Sequence, residues 1–134
     1  MILLDTSAWV EFLRDTGSRV HLAVREIVRA DEPFATCAAI RMELLMGARD
    51  EHHLQQLSAL LARGTMLATP PGRYDEAAAL YRQARAHGVT VRRAMDCLIG
   101  AHAIAAAVPV LHADADFHGL ARSTALEEHP ASLA

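Results

Sequence analysis

Short apolar runs alternate along this chain with longer segments in which apolar residues recur at helical spacing. The first run, Ile2–Leu4, predicts a strand that ends at Asp5, and the residues that follow predict a helix beginning near Ser7. Later short runs predict strands at 33–36, 66–68, 110–112 and 124–126. The pattern therefore predicts a protein in which strands and helices alternate.

Residues that commonly begin or end helices bound the periodic segments. Ser18 is expected to cap a helix that runs to about residue 30, and Gly47 is expected to end a helix that starts at residue 38. Further helices are predicted at 50–64, 72–87, 94–107 and 114–121. No linker or repeat interrupts this series, so one domain over residues 1–134 is expected.

The predicted elements define a fold class. Strands separated by helices imply a parallel sheet that is covered on both faces, because each crossover must return over the sheet. We therefore expect an α/β protein with three layers, α/β/α. Ligands of such sheets bind beyond the carboxyl ends of the strands, so Asp5 and the residues after Leu111 should lie at the edge that forms a site.

Composition narrows the class of protein. The chain is 52% hydrophobic, and its longest apolar stretch, 97–111, is interrupted by His102 and Pro109 and is too short to span a bilayer. The first residues leave no room for a secretory signal, so a cytoplasmic protein without a membrane segment is expected. Cys37 and Cys97 form no metal-ligand pattern, which disfavours a zinc protein or one stabilised by disulfides.

The charges exclude further classes. A formal net charge of −3 argues against a protein that coats nucleic acid through bulk positive charge. All 13 basic residues are arginines, which excludes lysine nucleophiles and Schiff-base chemistry. A nuclease is compatible with this charge when its carboxylates are concentrated at one site, where divalent metal ions offset them.

Five acidic residues lie within apolar sequence, where an ionised side chain needs a partner. They are Asp5, Glu43, Asp96, Asp114 and Asp116. Because the chain has no lysine, a divalent cation is an economical partner for several of them, and hard oxygen ligands favour Mg²⁺ or Mn²⁺. Taken singly, Asp5 can be a turn residue, Asp114 a helix N-cap and Glu43 a rim residue. Taken together, they favour a metal site.

Such a metal site suits the hydrolysis of phosphodiesters. The metal lowers the pKa of a bound water and neutralises charge that develops on the phosphate. Thr6 is expected to hydrogen-bond Asp5 or a metal-bound water. Arg92 and Arg93 precede the Asp96 helix, where they could hold a substrate phosphate, contact a partner protein or lie in a solvated loop.

Four segments carry a resemblance to a known family. In chain order they are MILLDTSAWVEFLR, TCAAIRMELLMGAR, TVRRAMDCLIGAHAI and VPVLHADADFHGLA. With these segments the chain resembles the PIN-domain family and, within it, the VapC-type toxins. The resemblance implies a PIN-like parallel sheet of order 3-2-1-4-5 and a Mg²⁺- or Mn²⁺-dependent endoribonuclease that acts on RNA. It also implies a homodimer and neutralisation by a VapB-like antitoxin.

The same resemblance implies roles for individual residues. Asp5 and Asp96 resemble the principal metal ligands of the family, and Asp114 or Asp116 would complete the ligand set directly or through water. Glu43 resembles the residue that orients or deprotonates the attacking water. His112 departs from the family pattern, in which a threonine often stands at this position, and its presence leaves the orientation of the following aspartates open.

Two other functions fit parts of the pattern. A Mg²⁺-dependent phosphohydrolase of the haloacid-dehalogenase type also uses aspartates at strand ends. Proteins of that type carry a DxDxT run at the first strand. Here DTSAW follows the first strand, and the paired aspartates come last. A catalytically silent PIN-like module that acts only by binding is disfavoured because all the acidic positions are present.

Overall fold

The computed structural model describes all residues from Met1 to Ala134. Its strands are β1 (Ile2–Leu4), β2 (Phe34–Cys37), β3 (Thr65–Leu67) and β4 (Val110–Leu111). Its helices are α1 (Thr6–Leu13), α2 (Arg19–Arg29), α3 (Ala38–Met46), α4 (Glu51–Leu61), α5 (Gly72–Ala86), α6 (Ala94–Ala106) and α7 (Ala115–Ser123). Each lies within a few residues of a segment predicted from the sequence. None of the helices combines the length and the apolar character that a membrane crossing requires.

The strands form one parallel sheet in the order β3-β2-β1-β4. Leu3 of β1 is paired with Ala35 of β2 on one side and with Val110 of β4 on the other. Because all neighbours are parallel, each connection crosses over the sheet through helices, and the result is the three-layer α/β/α arrangement expected.

The fifth strand predicted at 124–126, and with it the last position in the order 3-2-1-4-5, is wrong. The α7 helix runs on to Ser123, and the Thr124 hydroxyl still donates a hydrogen bond to the Leu120 carbonyl at 2.7 Å. The start of the predicted strand is therefore tied to the end of the helix.

The chain after α7 passes beside β4 without forming a ladder; we call residues 127–133 the C-terminal segment. Its bridges to the β4 region are isolated and join Val110 with Glu128 and Ala113 with Leu133. Between the bridges, Pro130 lies in a turn in which the Ser132 N–H donates to the His129 carbonyl at 2.9 Å. Proline has no N–H to offer a ladder and favours such turns, so the pairing with β4 is interrupted.

The hydrophobic core contains 27 buried residues. Trp9 of α1 packs edge-on against Phe34 of β2 with ring centroids 5.3 Å apart, and Phe117 of α7 is fully buried beyond β4. The first contact holds α1 against β2, and both helices pack into the same core. Because β1, β2 and β4 are parallel neighbours, their carboxyl ends meet at one edge of the sheet.

Candidate functional site

A cleft of about 280 Å³ opens at this edge, where β1 ends and α1 begins. We call it the acidic cleft. Its lining residues are Asp5, Thr6, Ser7, Val10, Glu11, Glu43, Arg93, Asp96 and Ala113. Three of the predicted carboxylates, Asp5, Glu43 and Asp96, therefore share one cleft although they belong to separate elements of the chain.

Asp5 joins β1 to α1 and caps the helix. Its Oδ2 accepts hydrogen bonds from the Ser7 N–H at 2.9 Å and from the Ser7 hydroxyl at 2.6 Å. Burial raises the pKa of Asp5 above its ordinary value, the Ser7 hydrogen bonds oppose that shift, and the nearby charge of Glu43 raises the pKa further. The capping contacts thus fix the direction of a carboxylate whose ionised form is costly.

Glu43 reaches the cleft from α3, where two side chains hold its carboxylate. The Thr6 hydroxyl donates to Oε1 at 2.9 Å, and the Arg93 guanidinium donates to Oε2. Of the two partners expected for Thr6, its hydroxyl does not donate to Asp5. The Asp5 Oδ2 accepts instead from Ser7, which stands at the second helical position, where an N-cap side chain finds its donors. Thr6 is left to hold Glu43.

Asp96 lies in the first turn of α6 and is only 2% exposed. Burial, and then the charge of Asp5, raise the pKa of Asp96 to about 7, while Arg93 opposes this shift. Its Oδ2 is buried and has no hydrogen-bond partner. A buried carboxylate oxygen without a donor is destabilising, so this atom is the one in the site that most needs a cation.

Asp114 and Asp116 lie beside the cleft, at the beginning of α7. Asp114 caps the helix, and its Oδ1 accepts a hydrogen bond from the Asp116 N–H at 2.9 Å. Carboxylate oxygens of Asp96, Asp114 and Asp116 lie within 4.8 Å of one another. Asp96 therefore belongs to two groups of carboxylates, one inside the cleft and one beside it.

Arg92 and Arg93 are both held by these carboxylates. Arg92 donates to Asp116 from its backbone N–H and from its Nε, each at 3.2 Å, and its Nη2 lies 3.3 Å from an oxygen of Asp114. Arg93 pairs with Glu43. Both residues lie in an exposed loop, as one of the three expectations has it, and each guanidinium is engaged with acidic groups.

Sequence reasoning missed two polar side chains of the cleft, those of Ser7 and Glu11. The Ser7 hydroxyl donates to Asp5 and accepts from the Ala113 N–H at 2.9 Å, so it links the end of β1 to the residues after β4. Glu11 lines the cleft one helical turn after Ser7. The spacing of four residues on α1 is the signal that could have found Glu11, because residues so spaced share a helix face.

The donor set fits a divalent cation. Six carboxylates lie in or beside the cleft, four of them in its lining, and two arginines pair with members of this group. Carboxylate oxygens are hard ligands of the kind that divalent cations such as Mg²⁺ and Mn²⁺ prefer. The unpartnered Oδ2 of Asp96 offers such an ion a ligand atom that no side chain already uses.

The sequence matches a known protein family over most of its length. Residues 2–123 match the PIN domain family. Two relatives are each 42% identical to this chain over 129 residues: a VapC ribonuclease of Mycobacterium bovis and ribonuclease VapC11 of Mycobacterium tuberculosis. The alignment covers 95% of this chain and 96% of each relative.

Solved structures show the same fold. A toxin–antitoxin complex from Klebsiella pneumoniae has a TM-score of 0.69 at 18% identity and covers 100% of this chain and 97% of that one. VapBC2 from Rickettsia felis, bound to promoter DNA, has a TM-score of 0.74 at 19% identity and covers 96% and 98%. The family match, the extent of identity and the shared fold agree: the chain belongs to the PIN-domain family and, within it, to the VapC ribonucleases.

Proposed function

We propose that this protein is the toxin of a type II toxin–antitoxin pair and acts as a Mg²⁺- or Mn²⁺-dependent endoribonuclease that hydrolyses phosphodiester bonds in RNA. The observation that carries the proposal is the unpartnered Oδ2 of Asp96 among five other carboxylates. The ribonuclease names of relatives that are 42% identical over almost the whole chain support the same activity. The proposal includes a single domain, residues 1–134, that acts in the cytoplasm.

Asp5 and Asp96 are the proposed principal ligands of the cation, and Asp114 or Asp116 completes the set directly or through water. When bound, the cation supplies a Lewis acid that lowers the pKa of a water and offsets negative charge on the scissile phosphate. Two of these carboxylates are already oriented by hydrogen bonds within the chain. The Ser7 hydroxyl orients Asp5, and the N-cap of α7 orients Asp114.

Glu43 is the proposed acceptor of the proton that the attacking water gives up. Thr6 holds Oε1, so the carboxylate stays aimed while Oε2 exchanges partners. A substrate phosphate in the cleft competes with Oε2 for the Arg93 guanidinium and thereby frees this oxygen to take the proton. Arg92 is the second proposed contact to the phosphate backbone.

A VapB-like antitoxin is the proposed protein partner. A groove lined in part by Leu13, Leu44 and Leu57 adjoins the acidic cleft, and the two share Thr6, Val10 and Glu43 among their lining residues. An antitoxin segment in this groove would block the entry of RNA. Structural neighbours that are toxin–antitoxin complexes support such a partner.

A homodimer is also part of the proposal, and α5 and α6 supply a face for it. Eight of the nine residues that line a depression of about 550 Å³ between these helices are hydrophobic, and Tyr74 at its rim is 59% exposed. A second copy would cover this apolar surface. Sedimentation of the wild type and of Tyr74→Glu tests this assignment, with a dimer expected only for the wild type.

Incubation of purified protein with structured RNA tests the proposed activity. We expect cleavage in the presence of Mg²⁺ or Mn²⁺ and none after EDTA is added in excess. No metal-dependent cleavage of any RNA would favour a silent binding module. Turnover of small phosphomonoesters instead of RNA would favour a phosphohydrolase.

A further inference from the structure

His112 connects the C-terminal segment to the acidic pair at the start of α7. The side chain is fully buried and lies against the Phe117 ring with centroids 5.3 Å apart. Its Nε2 is 2.9 Å from a carboxylate oxygen of Glu128, and its Nδ1 accepts a hydrogen bond from the Asp114 N–H at 3.2 Å. One imidazole thus contacts both the C-terminal segment and the backbone of a proposed metal ligand.

These two contacts determine the tautomer of His112. A backbone N–H can only donate, so the Nδ1 that faces Asp114 carries a lone pair. The ring proton is then on Nε2, where it faces the acceptor oxygen of Glu128. Both ring nitrogens are satisfied in this tautomer alone, and the position of Glu128 therefore fixes the orientation of the ring.

Glu128 is itself firmly held. Hydrogen bonds on either side of it join Glu127 and His129 to the Val110 backbone at 2.9 and 2.8 Å. The His118 ring contacts the second oxygen of the Glu128 carboxylate at 3.0 Å. Burial alone would raise the pKa of Glu128, but the hydrogen bonds from His112 and His118 outweigh burial and hold it below its ordinary value. An ionised acceptor for His112 is thus built into the fold.

We propose that His112, anchored by Glu128, is a positioning residue that holds the Asp114 backbone in the turn from which Asp114 and Asp116 reach the cation bound at Asp96. The inference rests on the proposed metal site. The Asp114 N–H is fixed by His112 while its side chain caps the Asp116 N–H, so one turn sets the direction of both carboxylates. Partners that orient metal ligands typically change metal affinity by about 10- to 100-fold.

Two substitutions of His112 distinguish the roles of its two ring nitrogens. His112→Asn keeps an acceptor near the position of Nδ1, whereas His112→Gln keeps a donor near Nε2 and loses the acceptor for the Asp114 N–H. Both leave a similar cavity, so they control for each other. We expect His112→Gln to weaken Mn²⁺ binding about tenfold in isothermal titration calorimetry of the whole protein, and His112→Asn to recover part of that loss.

The anchor is tested by a double-mutant cycle. Glu128→Ala should weaken Mn²⁺ binding in the wild-type background and add nothing to His112→Gln, because Glu128 acts through the ring. Glu127→Ala is the matched control, since its exposed side chain makes no hydrogen bond and only its carbonyl pairs with Val110. The ¹⁵N chemical shifts of the wild-type imidazole should show a proton on Nε2 and none on Nδ1.

The outcomes distinguish this inference from the proposed function. A wild type that binds no Mn²⁺ would overturn the metal site and the inference with it. Mn²⁺ binding that is unaffected by His112→Gln, or weakened equally by both His112 variants, would overturn the inference alone. A proton on Nδ1, or additive effects of Glu128→Ala and His112→Gln, would do the same.

Discussion

The two ends of α6 each bury a polar side chain with an unsatisfied atom. Asp96 in the first turn is 2% exposed, and His102 further along the helix is 1% exposed. The Oδ2 of Asp96 and the Nδ1 of His102 both lack a hydrogen-bond partner. Taken alone, these observations would mark both residues equally as candidates for a site.

The two residues differ in the charged groups that surround them. Burial, and then the charge of Arg73, lower the pKa of His102, so the ring stays neutral and contacts the Thr69 hydroxyl at 3.1 Å. Asp96 is instead surrounded by other carboxylates, and its pKa is raised to about 7. A neutral ring carries no charge that needs a partner, even with one nitrogen unpaired, whereas crowded carboxylates need a cation. Clustering of like charges, and not burial, therefore distinguishes the functional end of α6.

The largest effect is expected from Asp96→Asn. The amide loses a proposed metal ligand, and we expect RNA cleavage to fall by at least about 100-fold. The same change removes a buried charge without a partner, so the free energy of unfolding of the metal-free protein at neutral pH should rise by roughly 1–3 kcal/mol. Cleavage rates and urea unfolding after EDTA treatment measure the two effects.

Asp75→Asn is the matched control, because Asp75 is an exposed carboxylate in the first turn of α5, outside the cleft. It should leave cleavage unchanged. Retained cleavage in Asp96→Asn would contradict the ligand assignment, and a metal-free protein made less stable by that substitution would contradict the account of its charge.

Ser7→Ala should have the next largest effect. The substitution removes the hydroxyl that donates to Asp5 and accepts from the Ala113 N–H. We expect a loss of about 1–3 kcal/mol in the free energy of unfolding and a roughly tenfold loss of cleavage, since a neighbour of a metal ligand is lost. Ser7→Thr keeps the hydroxyl and should restore much of both. Equal activity in Ser7→Ala and the wild type would show that the link between β1 and β4 does not position Asp5.

The pH dependence of stability should differ in sign for the two ends of α6. The pKa of Asp96 is higher in the folded chain than its ordinary value of 3.8, so the metal-free protein should lose stability as the pH rises from about 4 to about 7. The change is on the order of 1 kcal/mol or more. Unfolding measured across this range should lose that slope in Asp96→Asn; an unchanged slope would assign it to other groups.

The smallest effect is expected from His102→Gln. Because the pKa of His102 is lowered in the folded chain, its contribution to stability is present at neutral pH and is lost as the pH falls below the ordinary value of 6.5. Glutamine has no charge to gain and should weaken the destabilisation by acid, with a change below about 1 kcal/mol at pH 7. RNA cleavage should be unaffected. A large loss of cleavage would place His102 in the functional end of the helix.

Much of the fold and the grouping of the carboxylates could be predicted from the sequence. Short apolar runs located the strands, and parallel strands present their carboxyl ends at one edge, which explains why Asp5 after β1 and Asp114 after β4 lie at the same edge although they are far apart in the chain. Charges placed in apolar sequence marked the residues that needed partners. These signals are local and therefore visible in the sequence.

Other features depend on tertiary contacts that no local pattern reveals. The strand predicted at 124–126 does not form, because Thr124 stays bonded to the end of α7 and only isolated bridges join the following residues to β4. Arg92 pairs with Asp116, whereas its neighbour Arg93 pairs with Glu43. The sequence shows that His112 departs from the family pattern, but its contact with Glu128 depends on how the C-terminal segment packs.

The central claim is that the carboxylates around Asp96 hold a divalent cation. The most direct test is electron paramagnetic resonance of Mn²⁺, which reports the fraction of free ion, in titrations of the EDTA-treated wild type and of Asp96→Asn. The account predicts that the wild type removes Mn²⁺ from the free pool and that Asp96→Asn does so at least about tenfold more weakly. Equal binding by both proteins, or binding by neither, would contradict it.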